Sequence, residues 1–239
     1  MDMNIGRDIS ERLMRYAELL GAANARARLT GPSDPAAIRD DLIADALAAL
    51  PLLEVLGPGG SFIDVGTGGG LPGLVWSICR PDMSGVLLDS VKKKTDLLRE
   101  IAESLGVRNV RVVNARSEDF AATARESFDV ATARAVARSD VLCEYLSPFV
   151  KAGGRIIAFK GAGVEGELDT PPDMWKEMGL GKPDTAAYTT ASGGERRLVV
   201  WVKVAVCPTS YPRKPGEAKK NPWTGLNRAK QGKTNLRKR

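Results

Sequence analysis

The residues best placed to do chemistry lie in the run Phe62-Ile63-Asp64-Val65-Gly66-Thr67-Gly68-Gly69-Gly70-Leu71-Pro72-Gly73. Its first four residues read as the end of a strand, and a helix is predicted to begin near Leu71. Glycines at 66, 68, 69 and 70 allow positive φ and let a ligand approach the backbone closely. Gly73, one turn into the helix, permits tight packing of helix on strand. In an open α/β sheet such a loop lies beyond the carboxyl ends of the strands, where ligands bind at the point of reversal in strand order. Read literally, Gly68 to Gly73 also matches the dinucleotide fingerprint G-x-G-x-x-G. Two residues argue against that match. Asp64, two positions before the first glycine, would repel a pyrophosphate, and Pro72 removes one of the early helix N–H groups that phosphate binding uses. The lysine of a Walker A loop is missing as well. A cofactor carrying an ammonium and a sulfonium, as S-adenosylmethionine does, is instead attracted by a carboxylate there. An ordinary glycine-rich turn is the remaining alternative.

Three further positions close apolar runs with polar side chains. Asp89 ends Val86-Leu87-Leu88-Asp89. A carboxylate there can accept both hydroxyls of an adenosine ribose, or it can cap the helix that follows, a role open to Ser90 too. Asn114 ends the next run, and Arg116, Ser117, Glu118 and Asp119 come directly after it. Short polar groups there could meet an adenine edge; Glu118 and Asp119 could otherwise simply begin a short helix. Arg134 ends Phe128–Arg134. An arginine at the end of an apolar strand is costly to hold unless something pairs with it. A methionine carboxylate or an RNA phosphate would serve.

Absent residue types narrow the chemistry further. The 239 residues include no histidine, which removes Ser-His and Cys-His pairs, imidazole proton shuttles and His-ligated metal sites. No metal site is expected. Cys79, Cys143 and Cys207 are distant from one another and odd in number, which suits reduced thiols in the cytoplasm. No apolar stretch is long enough to span a membrane, and the first twenty residues lack the apolar core of a secretory signal. The net charge of +6 is unevenly spread: residues 211–239 hold ten Lys or Arg against the single acid Glu217. That basic tail, with Tyr211 and Trp223 interleaved, suits a polyanion such as RNA, and could equally be a solubilising end.

The elements that must position these residues follow from periodicity. Residues 8–57 read as helical, with Leu13, Tyr16, Ala17 and Leu20 on one face of a first helix and Ile38, Leu42, Ile43, Leu47 and Leu50 on a second. From residue 61 the pattern changes to short apolar runs alternating with helical stretches. Strands are predicted at 61–65, 85–89, 109–114, 128–133, 154–159 and 197–205, the last as an antiparallel edge hairpin after Ser192-Gly193-Gly194. Helices are predicted at 71–80, 91–105 and 138–150. This alternation predicts a doubly wound, mostly parallel sheet. The expected organisation is a helical extension over 1–57, a cofactor-binding domain over 58–206 and a flexible basic segment over 207–239.

With those residues in place, the chain resembles the bacterial family of 16S ribosomal RNA guanine-N7 methyltransferases known as RsmG or GidB. The resemblance rests on several motifs in one order: DVGTGGGLPG from Asp64, RPD from Arg80, LLDSVKKK from Leu87, NARSEDF from Asn114, FDVATARAVA from Phe128, FKG from Phe159, GERRLVVW from Gly194 and YPRKPG from Tyr211. It implies an α/β fold of the class I Rossmann-like methyltransferase type with seven strands, S-adenosyl-L-methionine as cofactor, and methyl transfer to a guanine N7 in 16S ribosomal RNA of the small subunit, by a monomer. By position it implies that Gly66 and Leu71 line the cofactor loop, with Ser117 and Glu118 on the adenosine; Asp64, Thr67, Gly68 and Asp89, in and beside the same loop, complete the expected cofactor site. Arg134 would face the methionine end as the catalytic arginine, and Lys160 and Arg196 would contact RNA. Arg197 stands where the family often has histidine. Guanine N7 carries a lone pair and no proton, so a site without histidine suits it. Methylation of exocyclic amines usually goes with an Asn/Asp-Pro-Pro-aromatic motif after the fourth strand, where this chain reads TARA; cytosine C5 needs a cysteine nucleophile, and the three cysteines are expected to be structural. A non-catalytic RNA-binding protein and a small-molecule methyltransferase are the alternatives on the same fold.

Overall fold

The computed structural model describes residues 6–169 and 172–223. Its centre is a seven-stranded sheet of order β3-β2-β1-β4-β5-β7-β6, made of β1 (Ser61–Val65), β2 (Ser84–Asp89), β3 (Val110–Asn114), β4 (Phe128–Arg134), β5 (Val150–Gly161), β6 (Asp184–Thr189) and β7 (Glu195–Val202). The first five pair in parallel, and β7 runs antiparallel to both β5 and β6. Apolar residues fill β1, β2 and β4 nearly without a break, as a sheet covered on both faces requires. The predicted doubly wound fold is present, with one addition. The expected antiparallel edge hairpin is present; its outermost strand is β6, to which the sequence analysis assigned no residues, and β7 lies between β6 and β5.

Helices cover both faces. On one lie α1 (Arg7–Asn24), α2 (Pro35–Ala37), a π-helical stretch Ile38–Ile43, α3 (Ala44–Leu47), α4 (Pro51–Glu54), α5 (Gly73–Cys79) and α6 (Lys92–Ser104). Leu13, Tyr16, Ala17, Leu20 and Ala23 recur at helical spacing along α1 and are all buried. They share one core with Ile38, Leu74, Trp76 and Leu98, so the amino-terminal helices pack directly on the glycine loop and the helices beyond it. The other face carries α7 (Ser117–Phe120), α8 (Ser139–Leu146), α9 (Glu165–Leu168) and α10 (Pro172–Glu177), with a core around Phe149, Trp175 and Trp201.

The segment expected to be flexible from residue 207 onward is folded as far as residue 223. Cys207, Tyr211 and Trp223 are buried in the second core, with α11 (Glu217–Lys220) between the last two. Polar ties, which carry no apolar periodicity, hold this strap. Arg125 donates to the carbonyls of Tyr211, Cys207 and Pro208, and Arg213 grips the buried carboxylate of Glu144 at 2.6 Å. Tyr211 and Trp223 therefore do not present rings for stacking on RNA: the Tyr211 hydroxyl donates to Glu177 and accepts from Trp223 Nε1. The remainder of the basic tail lies outside the described residues.

Candidate functional site

The glycine loop joins β1 to α5 at the reversal in strand order between β1 and β4. Gly66, Gly68 and Gly70 take φ of 72°, 54° and 101°, a region that excludes most side chains. Gly69 is needed for space instead: a Cβ there would stand 2.6 Å from Leu20 Cδ1. Gly73 fulfils its predicted role, since a Cβ would stand 2.4 Å from Leu87 Cδ2 and 2.9 Å from Asp64 Cβ. The loop also leans on α1, where the Tyr16 hydroxyl donates to the Gly69 carbonyl at 2.8 Å.

Asp64 is fully buried beneath this loop. Its Oδ2 accepts from the Thr67 hydroxyl at 2.7 Å and from Gly73 N–H at 2.9 Å, while Oδ1 has no partner among the described residues. Burial pushes its pKa from 3.8 up to about 6, against the pull of those two hydrogen bonds and of Arg134. Asp89 holds the loop from the other side, accepting from Gly68 N–H at 3.0 Å and from Val91 N–H at 2.9 Å. Asp89 thus ties the turn into α6; α6 itself has Val91 at its N-cap without a side-chain bond.

Three cavities surround the loop. One is lined by Gly66, Asp89, Ser117, Glu118, Tyr145 and Lys219, among others. A second is lined by Arg28, Thr30, Gly66, Thr67, Gly68, Leu71, Lys94 and Arg134. A third takes in Asp45, Arg134, Phe159, Lys160, Glu167 and Arg196. Gly66 is common to the first two, Val136 to the first and third, and Arg134 with Ala135 to the second and third. The cavities therefore meet at residues 134–136, immediately after β4. Ala135 sits there at φ 56°, a strained value for alanine that recurs at ligand sites.

The structure thus groups Gly66, Asp89, Ser117 and Glu118 in one cavity, and Gly66, Thr67, Gly68, Leu71 and Arg134 in the next. Arg134 also pairs with Asp45 across 3.6 Å. Sheet register explains the third group: Lys160 stands opposite Arg197 and Gly161 opposite Arg196, at the same end as Arg134 opposite Phe159. Lys160 is bound by Glu167 at 2.9 Å and by the Ala137 carbonyl, so its charge is already compensated. Arg196 reaches the carbonyl of Glu195 at 3.2 Å. Cys79, Cys143 and Cys207 line none of these three cavities, and burial raises all three thiol pKa values.

Several lining residues escaped the sequence analysis. Arg28 and Thr30 reach the second cavity because Asn24 clamps their loop, accepting from Leu29 and Thr30 N–H and donating to the Pro32 carbonyl. Lys219 comes from the strap, which Gly216 N–H ties to Glu118 Oε1 at 3.0 Å. Asp45 left one signal: it falls at helical spacing among the apolar residues Ile38, Leu42 and Ala49, where an acid is costly.

Strand order, the reversed seventh strand and a cleft at the carboxyl ends of β1 and β4 define a Rossmann-like methyltransferase fold. A putative O-methyltransferase from Klebsiella pneumoniae aligns with a TM-score of 0.55 at 17% identity, covering 79% of this chain and 90% of that one. A precorrin-6y C5,15-methyltransferase from Geobacter metallireducens aligns at 0.53 with 13% identity, covering 66% and 88%. Sequence comparison then narrows the class. The model of the GidB family, rRNA small subunit methyltransferase G, matches residues 9–198, and the chain belongs to that family. Proteins named ribosomal RNA small subunit methyltransferase G from Petrotoga mobilis and Moorella thermoacetica are 34% and 37% identical to it, over 89% and 87% of this chain and 95% and 87% of theirs.

Proposed function

We propose that the protein transfers a methyl group from S-adenosyl-L-methionine to N7 of a guanine in the 16S ribosomal RNA of the small subunit, in the cytoplasm. The convergence of three cavities on residues 134–136 carries this reading, because a group transfer needs donor and acceptor to meet at one point. The donor fits the first two cavities by chemistry. Asp89, Ser117 and Glu118 offer acceptors for ribose hydroxyls and an adenine amine. Beneath the second cavity, the unpartnered Oδ1 of Asp64 places a negative charge under the loop, which favours a cationic ligand in a buried setting. When bound, the cofactor supplies an electrophilic methyl group on a sulfonium.

This chain's residues bind and align rather than move protons. N7 presents a lone pair, so in-line attack needs no base. Holding acceptor and donor in register can supply about 7–11 kcal/mol of the barrier. The Asn24-clamped loop brings Arg28 beside Lys94 and Arg134, a group of cations suited to a carboxylate or an RNA phosphate. Lys160 and Arg196 stand on the acceptor side. Incubating the protein with small ribosomal subunits and labelled cofactor, then locating 7-methylguanine by borohydride–aniline cleavage, tests the proposal. Label at a single guanine N7 is the expected result, and no label on subunits or on their RNA would overturn it.

A further inference from the structure

The third cavity contains a carboxylate that the transfer reaction does not explain. Asp45, on α3, is 5% exposed yet lines the cavity wall. Desolvating a carboxylate is costly unless strong partners compensate. Asp45 has the Tyr188 hydroxyl, which donates to Oδ1, and Arg134 at 3.6 Å from Oδ2. A carboxylate has about four acceptor positions, so both oxygens keep capacity for a donor arriving from the cavity. Tyr188 on β6 also fixes the orientation of the group.

Resting on the reading of the substrate as guanine, we propose that Asp45 selects that base by accepting from its N1–H and 2-amino group. A purine whose N7 points to residues 134–136 turns its opposite edge away from the cofactor, into this cavity. Guanine carries two adjacent N–H donors on that edge, matching the two oxygens of one carboxylate. Adenine presents an acceptor at N1 and no 2-amino group, and would leave the carboxylate opposed by a lone pair. The apolar walls, including Leu142 and Phe159, suit the faces of the ring, and Arg196 is a donor for O6 or for a flanking phosphate. The same contact assists the reaction. Positive charge passes from sulfur to the purine as the methyl moves, which makes N1–H more acidic and strengthens its bond to a carboxylate in the transition state.

The test uses the full-length protein and reconstituted small subunits in which the guanine first mapped with the wild type is replaced by inosine, which lacks only the 2-amino group. The wild type should favour guanine over inosine in kcat/KM by at least about tenfold, the lower range for one well-placed base contact. In Asp45→Asn the rate on guanine should fall and the guanine-to-inosine ratio collapse toward one. A residue that merely holds Arg134 in place would slow both substrates equally, so an unchanged ratio in the variant overturns the proposal. Should Asp45→Asn not fold, the wild type still decides: equal rates on guanine and inosine overturn it. Failure of the underlying reading looks different, because the wild type would then label no guanine subunit, and this proposal would fall with it.

Discussion

Lowering the pH should weaken cofactor binding through Asp64, and the size of the effect follows from its burial. With its pKa raised from 3.8 to about 6 by burial, the carboxyl is half protonated near pH 6 in the free protein. The sign for folding is set by the native state binding this proton more tightly than the unfolded chain. The group's contribution to stability is therefore greatest below about pH 3.8 and declines as pH rises to about 6, by about 3 kcal/mol at ~1.4 kcal/mol per tenfold change in proton affinity. A cationic ligand bound over the loop that covers Asp64 would oppose this preference and favour loss of the proton. Binding should release close to one proton per site at pH 5, and affinity there should be about tenfold below its value at pH 7.5. Titration calorimetry in two buffers of different ionisation enthalpy measures the proton directly. Asp64→Asn serves as the control, since it keeps the size of the side chain and removes the titration. The reasoning is refuted if the dissociation constant is flat between pH 5 and 7.5, or if the Asn variant retains the slope and the released proton.

Two more outcomes follow from packing. Arg213→Ala leaves Glu144, whose side chain is 1% exposed, without its counter-charge, a change that typically costs about 3–5 kcal/mol. At about 2–4 °C per kcal/mol for a chain of this size, Tm should fall by about 6–20 °C. Because Gly216 is bonded to Glu118 in the same strap, cofactor affinity should fall with it; a melt and a titration unchanged from the wild type would contradict the role given to the strap. Gly73→Ala forces a methyl to 2.4 Å from Leu87 and displaces the N–H that Asp64 accepts. Overpacking of this kind costs about 1–3 kcal/mol, so Tm should drop by about 2–12 °C and cofactor affinity with it, as calorimetry would show.

Much of the fold is legible because its central strands are short and uniformly apolar. The reading of 61–65 coincides with β1, and those of β2, β3 and β4 fall within a residue of their ends. What escaped is what lacks periodicity. β6 reads Asp184-Thr185-Ala186-Ala187-Tyr188-Thr189, and five of its six residues are exposed; it is a strand because β7 offers an edge, and only the turn that follows it hints at a hairpin. The strap over 207–223 has few apolar residues, and its attachment through Arg125, Arg213 and Glu144 joins positions 69 to 86 residues apart, a separation that local pattern cannot show. Among the residues lining the cavities, those set by strand ends and glycine geometry coincide with ones picked out by type. Those delivered by another element, Arg28 by the Asn24 clamp and Asp45 by the amino-terminal helices, needed the tertiary fold. Asp64 was singled out as a partner for a cofactor's charge; what the structure shows is a buried carboxylate that staples the loop through Thr67 and Gly73.

The cavities around the glycine loop are bordered at one end by residues 28–31 and at the other by Gly216 and Lys219, nearly the full described length of the chain apart. Chains fold from the amino end as they are made. The sheet and its helices can therefore assemble while the cavity lined by Gly216 and Lys219 still lacks that wall. That wall is in place only once the strap has docked, with Arg213 on Glu144 and Gly216 on Glu118.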